Sequence, residues 1–147
     1  RAGMNTILTA IAVTILDQVA KWFVQGHMEL GESIPLISHV FHLTYIMNPG
    51  AAFGILEYQH TFFLGIVVIL FAAYLIMRRR IPKNPVYFPI GIGMVLGGAL
   101  GNAIDRVRYQ GVVDFFDFRV WPIFNVADIA ICVGMALILW YFWRHSD

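Results

Sequence analysis

Four long runs of apolar residues alternate with polar or strongly charged segments along this chain. The runs cover approximately residues 4–24, 61–77, 86–104 and 126–143. Each is close to the length of about 20 residues that an α-helix needs to cross the hydrocarbon core of a bilayer. The pattern predicts a mainly α-helical membrane protein with four transmembrane helices, in a single integral membrane domain covering residues 1–147.

The two segments that link these runs on one side, 25–60 and 105–125, do not look like plain linkers. Residues 40–47 read VFHLTYIM and residues 112–121 read VVDFFDFRVW. Both are rich in β-branched and aromatic residues with partial alternation, which is typical of strands. We therefore expect a small β-sheet on the membrane surface, where aromatic side chains such as Trp121 favour the interface.

Composition supports a membrane protein and argues against other classes. The chain is 59% hydrophobic and only 13% charged, whereas soluble domains have about 25% charged residues. The net charge is +1 and no basic stripe is present, so a nucleic-acid partner is not expected. The single cysteine, Cys132, cannot form an intramolecular disulfide.

The loop between the second and third runs indicates the orientation of the chain. Residues 78–83, RRRIPK, contain four cations, and short loops rich in Lys and Arg remain in the cytoplasm. Four spans bring both termini to this same side. The segments 25–60 and 105–125 then face outside.

Three glycines recur every four residues in the third run, at Gly93, Gly97 and Gly101. Such a stripe of small residues lets a neighbouring helix approach closely. A groove for a substrate is the alternative interpretation, and packing is the one we favour.

The charged residues of the apolar runs all map to the outer ends of the predicted helices. Asp17 and Lys21 are separated by four residues, so they share a helical face and can form an ion pair. A charged residue at the centre of a bilayer costs about 2.5–3.5 kcal/mol, and an ionisable group in a span indicates a functional site by default. The residues at this level are Asp17, Lys21, Asn48, Asn102, Asp105, Arg106, Asp114, Asn125 and Asp128.

Two of these carboxylates differ from the others in their sequence surroundings. Arg106 is adjacent to Asp105 and would hold it ionised, and Asp117 is compatible with a solvated loop residue. Asp114 and Asp128 have no cation within four residues and have apolar or aromatic neighbours.

Two carboxylates held together at low dielectric do not both ionise readily, so the pair shares one proton. This is the acid–base arrangement of aspartic proteases, in which one carboxylate takes a proton from water and the other donates one. Spacing alone leaves open which carboxylates between 105 and 128 form the pair.

Other functions also remain open from the residues alone. A proton- or ion-coupled transporter subunit would use buried carboxylates and a glycine-striped helix, although the inner halves of the runs are uncharged. A membrane assembly partner without catalysis would use the stripe for packing. No HExxH motif and no Gly-rich phosphate loop after a strand is present in the sequence, so no metal or nucleotide site is expected.

Five sequence blocks, in order, resemble the lipoprotein signal peptidases, the family also called signal peptidase II. The resemblance covers nearly the whole chain. It implies an aspartic endopeptidase of the bacterial inner membrane, with four transmembrane helices, cytoplasmic termini and a periplasmic β-sheet cradle. The blocks are DQVAKW at 17–22, NPGAAFG at 48–54, GGALGNAIDR at 97–106, VVDFFDF at 112–118 and FNVADIAI at 124–131.

The resemblance further implies residue roles and a substrate. Asp114 and Asp128 correspond to the catalytic dyad of the family. The implied substrate is a prolipoprotein with diacylglycerol on a cysteine, cleaved just before that cysteine without metal or other cofactor. We expect the protein to act as a monomer among membrane lipids. The implied supporting positions are Asp17, Lys21, Asn48, Asn102, Asp105, Arg106 and Asn125. We also expect Gly50, which follows Asn48 closely, to help shape the cradle.

Movement is expected in one outer segment. A site without a lid would expose its catalytic water to solvent. We therefore predict that residues 40–56 move.

Overall fold

Four helices form the body of the protein. The computed structural model describes residues 2–51 and 55–146. All four helices are long and apolar enough to cross a membrane, as predicted. They are α1 (Ala2–His27), α2 (His60–Met77), α3 (Tyr87–Tyr109) and α4 (Val126–Arg144).

The third helix continues past its predicted end at residue 104, and the extra turn carries Asp105 and Arg106. It ends at Tyr109, and the next residue, Gln110, takes the left-handed conformation and donates its backbone N–H to the carbonyl oxygen of Arg106. A left-handed residue at this position is a common helix terminator. The extension places two of the predicted site residues inside the helix.

Three strands form one antiparallel sheet in the order β1–β2–β3. Strand β1 was not predicted; it is exposed along its whole length and contains Pro35, a residue that suits an edge strand. β3 ends four residues before the predicted limit at 121. Asp117 accepts a hydrogen bond from the backbone N–H of Arg119, which has a φ of 70° and turns the chain away. The strands are β1 (Ser33–Ile37), β2 (Phe41–Asn48) and β3 (Val112–Asp117).

The glycine stripe packs helix against helix. A Cβ added to Gly93 would lie 2.5 Å from the carbonyl oxygen of Thr6, and one added to Gly97 would lie 2.6 Å from that of Ala10. Neither position has room for a side chain, because α1 occupies it. Packing, rather than a substrate groove, is therefore the role of this stripe.

The two ends of the helix bundle differ. Phe88 of α3 stacks on Tyr141 of α4 with ring centroids 4.0 Å apart, so the start of α3 adjoins the end of α4. The cationic turn Arg78–Arg80 follows α2 at this same end, which we call the cation end. The sheet lies at the opposite end, the sheet end.

A small apolar core fixes the sheet to the last turns of α1. It joins side chains from the end of α1 to side chains from β2 and β3, and all are nearly inaccessible to solvent. Its members are Val24, Met28, Tyr45, Val113 and Phe115.

The NPGAAFG block, residues 48–54, is described only as far as Ala51. Residues 52–54 lie outside the described residues. The predicted movement of residues 40–56 falls partly on them and stays a prediction.

Candidate active site

A buried ionic cluster lies beneath the sheet end of the bundle. The predicted pair is present, with Lys21 Nζ 2.7 Å from Asp17 Oδ2. Asp105 does not pair with Arg106 as predicted; its Oδ2 lies 2.9 Å from Lys21 Nζ. Successive residues of an α-helix are about 100° apart around the axis, so Asp105 faces α1 while Arg106 points elsewhere.

The two carboxylates of this cluster also hold the elements around them. Asp17 Oδ1 accepts a hydrogen bond of 2.8 Å from the backbone N–H of Ala127, in the first turn of α4. Asp105 Oδ2 accepts one of 3.0 Å from the backbone N–H of Val113 in β3. The cluster therefore positions the start of α4 and of β3, the elements that carry the two candidate catalytic residues.

The first turn of α4 is closed by a capping box. Asn125 Oδ1 accepts from the backbone N–H of Asp128 at 2.9 Å, and Asp128 Oδ2 accepts from the backbone N–H of Asn125 at 3.1 Å. This reciprocal pair satisfies amide groups that a helix start leaves free. It also holds the Asp128 carboxylate in one orientation.

Asn102 links the ionic cluster to Asp128. Its Oδ1 accepts from Lys21 Nζ and from Asn125 Nδ2, each at 3.0 Å. Because the amide oxygen is occupied by two donors, the amide nitrogen must point the other way. It donates to Asp128 Oδ1 at 3.0 Å.

Asp114 is the more buried of the two candidate catalytic carboxylates, with 2% of its surface exposed. Its Oδ1 accepts from Asn125 Nδ2 at 2.8 Å, and its Oδ2 accepts from Asn48 Nδ2 at 3.1 Å. Asp114 and Asp128 thus share Asn125 as a partner. Both line the same cavity of about 480 Å³ at the sheet end.

The surroundings of Asp114 favour its protonated form. Burial, followed by the nearby Asp128 carboxylate, raises the pKa of Asp114 to about 8. The hydrogen bonds from Asn48 and Asn125 lower the pKa but only partly offset this effect. The balance of these effects favours the protonated form of Asp114 at neutral pH.

Arg106 connects the turn after β2 to α2. Its guanidinium lies 4.2 Å from the ring centroid of Phe63, and Nη2 is 3.5 Å from the carbonyl oxygen of Gly50, a long hydrogen bond. The Gly50 N–H donates to Asn48 Oδ1 at 2.9 Å. These contacts hold the turn beside the cavity.

Asp117 is not the solvated loop residue that the sequence suggested. It ends β3 with 5% of its surface exposed, and its Oδ2 accepts from Thr44 Oγ1 at 2.7 Å and from Arg119 Nη1 at 2.8 Å. Burial would raise the pKa of Asp117, but these hydrogen bonds and the Arg119 charge hold it below its ordinary value. It is absent from the residues that line the cavity.

Two residues of the site were missed by sequence reasoning. Gln18 Nε2 donates to Asp105 Oδ1 and to the carbonyl oxygen of Gly101, both at 3.0 Å. A glutamine beside Asp17 in an apolar run was a usable signal. Phe63 gave none, because phenylalanine is common in membrane spans.

The remaining predicted residues all meet in one network around the cavity. Two carboxylates, one of them protonated, face a common space and can act as general acid and general base on a water molecule. Among the described residues, no group of three or more His, Cys, Asp and Glu side chains could hold a metal ion.

Comparison with known proteins gives one consistent family. The family described as Signal peptidase (SPase) II matches residues 9–144. The lipoprotein signal peptidase of Pelotomaculum thermopropionicum is 51% identical over 145 residues, covering 98% of this chain and 95% of that protein. That of Halothermothrix orenii is 43% identical over 139 residues, covering 95% of each.

A solved structure agrees with the sequence relatives. A bacterial membrane enzyme determined by the in meso method at 2.3 Å resolution matches with a TM-score of 0.86 and 36% identity. The match covers 97% of this chain and 89% of that one. The chain therefore belongs to the signal peptidase II family.

Proposed function

We propose that this chain is an intramembrane aspartic endopeptidase that removes signal peptides from prolipoproteins. The substrate carries a diacylglyceryl group on a cysteine, and cleavage occurs just before that cysteine. The observation that carries the proposal is that Asp114 and Asp128 line one cavity and share Asn125 as a hydrogen-bond partner. Family membership and the names of the relatives support the substrate class.

The surroundings of the two carboxylates suggest a division of roles. Asp128 lies in the first turn of α4, where the helix dipole favours negative charge, and accepts hydrogen bonds on both oxygens. Asp128 takes a proton from a water molecule held between the carboxylates, and the resulting hydroxide attacks the scissile carbonyl carbon. Asp114 donates its proton to the leaving nitrogen as the C–N bond breaks.

The same proposal includes a location and an orientation. The chain lies in the bacterial inner membrane as a monomer, with the cation end in the cytoplasm and the active site near the outer face. The four cations of residues 78–83 support this orientation. An active site at the outer surface allows the acyl chains of a substrate to stay in lipid.

The transporter alternative is weaker on the same geometry. A proton path needs titratable groups distributed across the bilayer. The network of Asp17, Lys21 and their partners lies at the sheet end, and the sequence of α2 from residue 61 to 77 contains no charged residue. An assembly partner without catalysis leaves the shared cavity unexplained.

Separate substitution of the two carboxylates tests the proposal. Asp114→Asn and Asp128→Asn should each reduce cleavage of a lipidated prolipoprotein peptide in detergent by roughly a thousandfold, within the range of general acid–base catalysis. Asp117→Asn makes the same chemical change on β3 outside the cavity and should keep most of the activity. Wild-type rates in either folded dyad variant would remove that residue from the mechanism.

A further inference from the structure

A strained turn leads from β3 into one wall of the candidate active-site cavity. Arg119 has a φ of 70°, a left-handed conformation that is unfavourable for a residue with a side chain. Two hydrogen bonds to Asp117 offset this strain, because the Arg119 backbone N–H donates to Oδ1 and Nη1 donates to Oδ2, each at 2.8 Å. The residues that follow, 121–124, line the cavity together with Asp114 and Asp128. We call them the 121–124 wall, and the bonds between Asp117 and Arg119 fix where it begins.

A chain of hydrogen bonds joins Asp117 to a histidine across the sheet. Thr44 Oγ1 donates to Asp117 Oδ2 at 2.7 Å. Ser33 Oγ lies 2.8 Å from Thr44 Oγ1 and 2.9 Å from His42 Nδ1. The chain therefore includes side chains from all three strands, and it ends at a group that can change its charge.

The protons of this chain can be ordered from its carboxylate end. An ionised carboxylate only accepts hydrogen bonds, so Thr44 donates its single hydroxyl proton to Asp117. Ser33 then donates to Thr44 and accepts from His42 Nδ1–H, because any other order leaves two hydroxyl oxygens 2.8 Å apart with no proton between them. Neutral His42 thus already carries a proton on Nδ1. A second proton enters at Nε2 and makes the ring a cation.

The charge nearest to the His42 ring is itself a cation. Arg119 Nη1 lies 3.4 Å from His42 Nδ1. Asp117 is the partner of His42 on β3, but no ion pair joins these two side chains among the described residues. From β1, Ser33 and Pro35 face His42 and carry no charge. Protonation of His42 therefore places two positive charges side by side, and the Arg119 side chain, which is 44% exposed, can rotate away into solvent.

We propose that Arg119 positions the 121–124 wall for the substrate, and that protonation of His42 releases it. This inference rests on the proposed function, because the wall borders the dyad of Asp114 and Asp128. When His42 is neutral, both bonds from Arg119 to Asp117 stay in place and hold the wall. When His42 is protonated, Arg119 is repelled, the strained turn loses one of these bonds, and substrate binding weakens.

The pH dependence of KM separates this effect from titration of the dyad. For a lipidated prolipoprotein peptide and the wild-type protein, KM should rise about two- to fivefold between about pH 7.5 and about pH 5.5, the size expected for one exposed ion pair. His42→Asn keeps a donor at the position of Nδ1 but cannot gain a proton, so its KM should stay low at both pH values. Arg119→Gln should have the raised KM at both.

A second histidine of the same hairpin provides the matched control. His39 lies in the turn between β1 and β2, outside the hydrogen-bond chain, and its φ of 68° suits asparagine. His39→Asn should therefore keep the wild-type rise in KM. The acid limb of kcat, which reports the dyad in the bound complex, should be the same in His42→Asn and in the wild-type protein.

Three results would overturn the proposal. One is a wild-type KM that does not change between the two pH values. Another is a rise in KM that persists in His42→Asn, which would assign the effect to a different group. The third is a rise that disappears equally in His39→Asn, which would assign it to the charge of the hairpin as a whole.

A spectroscopic measurement separates this inference from the proposed function. The chain has four tryptophans, and replacing Trp22, Trp140 and Trp143 by Phe leaves Trp121 of the wall as the only one. Its fluorescence emission should change between the same pH values when His42 is present and stay constant in His42→Asn, even if the protein cleaves nothing. An emission that stays constant with His42 present, or that changes equally without it, contradicts the release of the wall.

Discussion

At the scale of single residues, the site depends on amide side chains as much as on carboxylates. Asn102 and Asn125 have their amide groups occupied by defined donors and acceptors. Such full occupation fixes which atom faces which carboxylate. The asparagines therefore fix the orientation of the two carboxylates.

The pH dependence of cleavage should report the hydrogen bond from Asn48 to Asp114. Activity needs the protonated form of Asp114 and should fall as the pH rises through about 8, the pKa of that group. The Asn48 hydrogen bond lowers this pKa, so Asn48→Ala should shift the alkaline limb to higher pH. The measurement is kcat/KM as a function of pH.

Thr44→Val is the matched control for this prediction. Thr44 also lies on β2 and donates to a carboxylate of β3, but that carboxylate is Asp117. The Thr44→Val substitution should therefore leave the alkaline limb of the pH profile of kcat/KM in place. A downward shift in Asn48→Ala, or an equal shift in both variants, would contradict the assignment of the acid to Asp114.

At the scale of elements, α1 braces the sheet end of the bundle and is more than a membrane anchor. Lys21 is 2% exposed and pairs with carboxylates of both α1 and α3. The pair of Arg119 and the buried Asp117 has a similar distance, 2.8 Å, but the Arg119 side chain is 44% exposed. The two pairs therefore differ chiefly in burial.

Removing the cation from each pair should have very different effects. Lys21→Met leaves Asp17 and Asp105 buried without a counter-charge and should cost about 3–5 kcal/mol of unfolding free energy. Arg119→Met should cost about 1 kcal/mol or less. Unfolding in detergent measures both, and similar losses would show that the buried cluster does not brace the sheet end.

Two glycine substitutions should change the stability of the protein in opposite directions. Gly97→Ala forces a methyl group against the carbonyl oxygen of Ala10, 2.6 Å away, and should destabilise the protein. Gly65→Ala on α2 meets nothing within 4 Å and should stabilise the helix by about 0.5–1 kcal/mol. Thermal unfolding of the two variants checks the signs, and a stabilised Gly97→Ala would contradict close packing of α1 on α3.

The elements differ in how much the sequence revealed of them. The four spans were predicted because uncharged apolar runs of this length are typical of transmembrane helices and rare in soluble domains. β1 was missed because its five exposed residues show no alternation. The predicted partner of Asp105, Arg106, was wrong because residues adjacent in sequence point in different directions around a helix. The true partner, Lys21, lies on a different helix.

The residues of the site could be predicted from the sequence, but the hydrogen bonds between them could not. Asp114 and Asp128 stood out because they are polar residues in apolar surroundings, and they do reach one cavity. The amide network of Asn102 and Asn125 depends on how α1, α3, β3 and α4 meet. No pattern within one element encodes that arrangement.

At the scale of the whole molecule, the cluster of exposed cations and the candidate active site lie at opposite ends. The cation end carries Arg78–Arg80, and the sheet end carries the two candidate catalytic carboxylates. With the cation end in the cytoplasm, the site is available to substrates that have already been exported. Orientation is thus part of the proposed function.

Thiol labelling tests this orientation. In a Cys132→Ala background, Val120→Cys, at a residue that is 91% exposed, should react with a membrane-impermeant reagent in intact spheroplasts. Lys83→Cys should react only after the membrane is broken. The reverse order of labelling would contradict the proposed orientation.

The buried cluster around Lys21 has a consequence for biogenesis. Lys21 contacts Asn102, which the ribosome adds 81 positions later. Until α3 is synthesised, Asp17 and Lys21 must enter the translocon with only each other as partners, at a cost of a few kcal/mol in lipid. A nascent chain that stops before α3 should therefore insert its first helix less efficiently than one that includes α3, because only α3 supplies the remaining partners of Lys21.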